Sequence, residues 1–83
     1  MYLDIIKKYV NKLKKEDIQT YAYKNNINLE ENELTLIYNT IKRRYEEIYK
    51  DGIKVINEYK NKLKEETYKK LIKLYEDIKR YYN

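Results

Sequence analysis

The sequence predicts an all-α fold, a small bundle of four or five amphipathic helices forming a single domain over residues 1–83, and three observations carry that prediction. The chain holds no Pro and one Gly, so little in it breaks a helix. Hydrophobic residues make up 42% and charged residues 40%, the balance of helices with one packed and one solvated face rather than of a disordered tail. Apolar residues recur at intervals of three and four along most of its length. A chain this short closes one core, and a thin one.

The first helix is expected at residues 2–14. Tyr2, Leu3, Ile5, Ile6, Tyr9, Val10 and Leu13 fall on one arc, with Asp4, Lys7, Lys8, Asn11, Lys12 and Lys14 on the other. A short second helix, residues 16–25, puts Ile18, Tyr21 and Ala22 on one side. It ends in Asn25 and Asn26, which tolerate the left-handed conformation that closes helices. The third, residues 29–50, has the clearest start: Asn28 as cap, Glu31 three residues on as in a capping box, and Glu30, Glu31 and Glu33 at the positive end of the helix dipole. Its apolar face reads Leu34, Ile37, Tyr38, Ile41, Tyr45, Ile48 and Tyr49.

A break is expected near Gly52. Leu34, Ile41, Ile48 and Val55 recur every seven residues, so an unbroken helix is arithmetically open. An interior Gly costs about 1 kcal/mol relative to Ala, however, whereas Gly52 in a left-handed Schellman stop, with Ile53 against Ile48, is favourable. A fourth helix, residues 53–63, then buries Ile56, Tyr59 and Leu63. The fifth, residues 65–82, aligns Tyr68, Leu71, Ile72, Tyr75, Ile78 and Tyr82 at coiled-coil spacing. Beside that seam, Glu65 with Lys69, Glu66 with Lys70 and Glu76 with Arg80 stand four apart in the supporting order. Helices one, three and five are expected to supply most of the core.

Two stretches echo each other: YVNKLKKE at residues 9–16 and YKNKLKEE at residues 59–66, identical at six positions. Each sets Tyr and Leu four apart on an expected buried face, then an acidic pair suited to the first turn of the next helix. The segments on either side do not align, so the echo reads as a helix joint used twice and not as a duplicated unit.

The absence of Cys, His, Ser, Phe, Trp and Pro removes most chemistry. Zinc, haem and iron–sulfur ligation, disulfides and the usual acyl-transfer nucleophile and base all lack their residues. One Gly cannot build a dinucleotide fingerprint or a P-loop. Carboxylate chemistry is formally open through 14 Asp and Glu, but these sit on charge-alternating helix faces. No enzymatic activity, cofactor or metal is expected. No run of about 20 apolar residues or signal-peptide layout is present, so no membrane span is expected and the location reads as cytoplasmic.

Two features carry the functional expectation. Twelve Tyr stand against no Phe, and a Tyr ring buries while its hydroxyl seeks a partner, which suits core margins and binding surfaces. Tyr38, Tyr45 and Tyr49 are the densest candidates for a partner-facing stripe. The net charge of +5 is uneven: +4 over residues 1–15, −4 over residues 16–33 and +5 over residues 34–83. Lys8, Lys12 and Lys15 share a helix face, and Arg43 and Arg44 form the only arginine pair, so these five are the candidate nucleic-acid contacts. The leading expectation is a non-enzymatic protein-interaction or structural module, able to self-associate as a homo-oligomer. The alternative is a nucleic-acid-binding accessory protein using its basic helix faces. A membrane-surface role for the lysine-rich first helix comes third, since Asp4 interrupts it.

The run KLKKEDIQTYAYKNNINLEENELTLIYNTI, followed by YKNKLKEETYKKLIKLYEDIK, resembles an uncharacterised family of small helical proteins from low-GC Gram-positive bacteria. In that family an acid-led short helix, an NNI-type turn and a longer helix follow one another. The resemblance implies an all-helical fold and brings no assigned activity. Residues 16–41 are more distantly similar to the helix, extended loop, helix layout of SAP-type nucleic-acid-binding motifs. This loop lacks their usual Gly and carries Glu30, Glu31 and Glu33 where basic residues would help.

Overall fold

A computed structural model describes residues 2–82, with the side chains of Tyr2, Tyr81 and Tyr82 outside the described part. Four α-helices follow in order: α1 (Tyr2–Lys12), α2 (Lys15–Lys24), α3 (Glu31–Glu58) and α4 (Glu65–Tyr82), with a single 3₁₀ turn at Lys60–Lys62 before α4. No strand occurs among the described residues. None of the helices is long and apolar enough to cross a membrane.

The joint between α1 and α2 is capped locally. The Asp17 carboxylate accepts the Lys14 N–H at 3.0 Å, so an acid at the third helical position does what no residue at the cap itself does. The close of α2 is the Asn pair's doing. Asn26 adopts φ 61°, the Ile27 N–H reaches back to the Ala22 carbonyl at 2.8 Å, and the Asn26 N–H reaches the Tyr23 carbonyl at 3.1 Å. These are the two bonds of a Schellman motif, with Ile27 and Ala22, both buried, as its apolar contact.

The start of α3 lies two residues later than the capping pattern suggested. Glu30, not Asn28, occupies the cap, and the Glu33 carboxylate accepts the Glu30 N–H at 3.1 Å. The reason is Glu33 itself, which is 1% exposed and serves a second helix as well. Its other oxygen accepts the Lys64 N–H at 2.9 Å, and the Thr67 hydroxyl and the Lys64 ammonium stand at 3.4 and 3.8 Å. One carboxylate therefore terminates α3 and α4 together. The two echoing joints differ at this point: Asp17 caps the first from three residues away, and Glu33 caps the second from across the fold.

Gly52 does not form a left-handed stop. Gly52 does not have positive φ and is buried within α3, which continues past a kink at Asp51 to Glu58. The helix nonetheless bends hard. A straight helix of 28 residues measures about 42 Å, longer than the molecule's greatest dimension of 34 Å. Backbone angles leave the helical region at Arg44 (φ −125°, ψ 29°) and at Asp51 (φ −156°, ψ 75°). Arg44 still touches Glu58 at 2.9 Å, although fourteen straight helical residues span about 21 Å. The chain thus folds back on itself: a first limb up to residue 43, an elbow at residues 44–51, and a second limb from residue 52 to residue 58. The expected break near Gly52 is a fold-back rather than a helix end, and the separate helix expected at residues 53–63 is the second limb followed by the 3₁₀ turn.

The core is as thin as the composition implies. Among the described hydrophobic residues only Val10, Ala22, Ile27, Leu34 and Val55 are fully buried. α4 adds Thr67 to the buried set and otherwise half-buried side chains, so it contributes less than its seam spacing suggested. In α1 the expected seven-residue arc is too wide for one contact: Ile6 and Val10 turn inward, while Ile5 is 53% and Tyr9 74% exposed. Tyr9 is therefore not the buried partner that the echo with Tyr59 implied. On the outer face of α4, Lys69 pairs with Glu65 at 3.1 Å and Lys70 with Glu66 at 3.0 Å. Glu76 and Arg80 form no such pair among the described residues.

Candidate functional site

One side chain inserts at the bend before Gly52. There the Tyr75 hydroxyl bridges the Gly52 N–H and the carbonyl of Ile48, four residues earlier. It accepts from Gly52 N–H at 3.0 Å and donates to the Ile48 carbonyl at 3.1 Å. A side chain inserted into the helical ladder is one of the few physical causes of a sharp kink. Glycine is required here for room rather than for backbone freedom, since a Cβ at residue 52 would lie 2.2 Å from Tyr75 Cε1.

Between the two limbs of α3 and α4 lies an apolar groove of about 190 Å³. Ile37 and Ile41 line it from the first limb, Val55 and Ile56 from the second, and Leu74 and Ile78 from α4. Tyr75 contributes to its wall as well. Most of these side chains are only half-buried, and Ile78 is 37% exposed. An engineered apolar cavity of about 150 Å³ in another protein stays dry and admits a benzene-sized guest, so this volume accepts one or two large apolar side chains. It falls below the roughly 300–1,000 Å³ of cofactor and small-molecule pockets.

A polar cluster lies where the limbs meet. The Arg44 guanidinium donates to both oxygens of Glu47 at 3.0 and 2.8 Å and to both oxygens of Glu58 at 2.9 and 3.0 Å, and reaches the Tyr59 hydroxyl at 3.2 Å. The hydrogen bonds from Glu47 first, then Glu58 and Tyr59, hold its proton more firmly than usual. Its own bonds hold the Glu47 and Glu58 carboxyls below the ordinary range. Thr40 and then Arg44 lower the Tyr59 phenol. Thr40 also donates to the Leu36 carbonyl at 2.7 Å, a back-bond that bends helices.

The candidate residues now have places. Arg44 is consumed by this cluster, and the Lys15 ammonium donates to the Thr35 hydroxyl at 2.9 Å with Glu31 at 3.9 Å. Lys8 and Lys12 are exposed and make no ion pair among the described residues. Arg43 is exposed and reaches only the Tyr59 hydroxyl, at 3.4 Å. Of the five basic candidates, Lys8, Lys12 and Arg43 stay exposed while Arg44 and Lys15 are engaged within the fold. Of the tyrosines, Tyr38 lies half-buried under the Lys42 ammonium, 5.4 Å from its ring centre, and that ammonium also donates to the carbonyls of Val10 and Asn11 at the end of α1. Tyr45 is half-buried and Tyr49 is 49% exposed. The backbone leaves helical angles at Arg44, between Tyr38 and Tyr45. Among the described residues the most exposed aromatics are Tyr23 at 80% and Tyr9 at 74%, and Tyr9 is one that amphipathic spacing places on a packed face. Spacing also gave no sign of the groove, which depends on the fold-back.

Among the described residues no group of three acidic side chains is placed to hold a metal ion. Compared with protein-family models, curated proteins and solved structures, the chain finds no match in any of the three.

Proposed function

We propose that this protein is a non-enzymatic interaction module that takes apolar side chains of a protein partner into the groove between the limbs of α3 and α4. The groove itself carries the reading: a concave, almost wholly apolar surface, half-open, sized for side-chain anchors rather than for a cofactor. Surface area supports it. The chain exposes 6591 Å², against about 5,400 Å² for a compact monomer of 10.4 kDa. That excess is of the order that one partner hides in a standard interface, about 800 Å². An amphipathic helix presenting two anchors three or four residues apart is the simplest occupant, in the way helices seat in apolar grooves elsewhere.

Ile78 is the residue to change, because it lines the groove and is exposed enough for a charge there to leave the fold intact. Ile78→Asp is expected to lower partner capture from a lysate at least about tenfold, as losing a buried anchor does. Its far-ultraviolet circular dichroism should match the wild type. Capture is run with and without nuclease. If all bound material disappears with nuclease while Ile78→Asp binds as well as wild type, the groove is not the site. The exposed Lys8, Lys12 and Arg43 then become the contacts of the nucleic-acid alternative, with a steep salt dependence as its signature.

A further inference from the structure

The bend in α3 is reversible in principle, and its geometry says what the straight form does. The heptad spacing of Leu34, Ile41, Ile48 and Val55 crosses the elbow without a change of register, so the sequence also encodes one continuous helix. Straightening pairs the Gly52 N–H with the Ile48 carbonyl in an ordinary helical ladder, two groups that the Tyr75 hydroxyl bridges in the bent form. It also carries the second limb and α4 away from the first limb, exposing the apolar faces of both. The bonds that join the halves run between fixed partners: Glu33 to the Lys64 N–H, Arg44 to Glu58, and the Lys70 ammonium to the Asn26 carbonyl. Every one of them can form between two chains as well as within one.

We infer that the protein exchanges residues 52–82 with a second copy of itself, α3 straightening at the elbow and each copy's α4 seating on the other's first limb. The occupant of the exposed first limb is the surface that already covers it in the monomer, so the interface needs no new complementarity. A short hinge between two packed halves is the usual setting for such an exchange. At the hinge the bent state engages the Tyr75 hydroxyl with the Gly52 N–H and the Ile48 carbonyl, two groups that a straight helix pairs with each other, so both forms satisfy them. The inference does not rest on what fills the groove, since each rebuilt half carries one.

The test begins with the wild-type chain, unfolded in guanidinium and refolded at millimolar concentration, then diluted and examined by sedimentation velocity. A slowly dissociating dimer is expected. The chain has no Cys, so spin labels at Asn32→Cys and Lys62→Cys report one distance, measured with labelled chains diluted in unlabelled ones. In the monomer these positions are neighbours, because Glu33 binds the Lys64 N–H. In the exchanged dimer the separation within one chain lengthens toward the roughly 40 Å of a straight α3. Gly52→Ala should raise the dimer fraction at least about fivefold, because the added Cβ clashes with the Tyr75 ring in the bent form and straightening relieves the clash. Two glycines inserted between Lys50 and Asp51 should abolish the dimer by freeing the elbow. Refolding that yields monomer only overturns the inference. So does a dimer in which the labels keep their monomer separation, since the copies would then be associating closed.

Discussion

Replacing Glu33 by Ala is expected to remove about 3 kcal/mol of folding free energy, read from urea denaturation at pH 7, a large share of what so small a core supplies. The carboxylate is 1% exposed and accepts the backbone N–H groups of Glu30 and Lys64, each at the start of a helix with no other cap of its own. Truncation leaves both donors without a partner in a place water reaches poorly. Glu33→Gln keeps the shape and one acceptor oxygen, and is expected to cost about 1–2 kcal/mol, the difference between charged and neutral hydrogen bonds. The pH dependence identifies the charge. Burial alone raises the Glu33 pKa, but the Lys64 and Glu30 N–H groups, the Thr67 hydroxyl and the Lys64 ammonium outweigh it and leave the pKa below the ordinary value. A carboxyl lowered on folding contributes stability that is complete above its unfolded pKa, about 4.3, and is lost as pH falls through the folded value. The gap between wild type and Glu33→Gln should thus be full at pH 7 and close in acid below about pH 4. A gap that stays constant down to pH 3 would mean that the carboxylate's charge contributes nothing.

Local patterns made the helices legible, and the Asn25–Asn26 close of α2 followed from residue chemistry alone, because a Schellman motif is decided within six residues. The start of α3 was misplaced by the same logic. Asn28 and Glu31 satisfy a capping pattern, but Glu33 reaches both Glu30 and, across the fold, Lys64, and local spacing contains no record of the second bond. Gly52 shows the limit most clearly. Its presence signalled a break, and the chain does reverse there, yet the cause lies 23 residues away in the Tyr75 hydroxyl. The candidate arginines illustrate a further gap: Arg43 and Arg44 are alike in sequence, but the fold-back delivers Glu58 to Arg44 and leaves Arg43 exposed. The groove was invisible for the same reason. Its walls come from two limbs of one helix that, read at helical period, ought to lie on a single straight face.

Gly52→Ala is the second large effect, and its sign separates close packing from helix propensity. Propensity alone favours Ala by about 1 kcal/mol within a helix. Against that, the new Cβ meets Cε1, Cζ and Cδ1 of the Tyr75 ring at 2.2–2.7 Å, so the ring withdraws and both of its hydroxyl bonds are lost. Two bonds at about 1 kcal/mol each, with another 1–3 kcal/mol for repacking and the propensity gain set against them, leave the monomer destabilised by about 2–4 kcal/mol net. The measurement is urea denaturation at micromolar concentration, where the chain is monomeric. Tyr75→Phe keeps the ring and removes only the hydroxyl, and should cost about 1–2 kcal/mol because the Gly52 N–H and the Ile48 carbonyl lose their bridge. The double variant decides whether one bridge underlies both losses. If it does, Gly52→Ala with Tyr75→Phe destabilises by at least about 1 kcal/mol less than the two single changes added together, since the same pair of bonds cannot be lost twice. Strict additivity would show that the hydroxyl and the glycine act separately, and the bend in α3 would then need another cause. The nearest is the Arg44 cluster, which draws Glu58 back toward the first limb from the other side of the elbow.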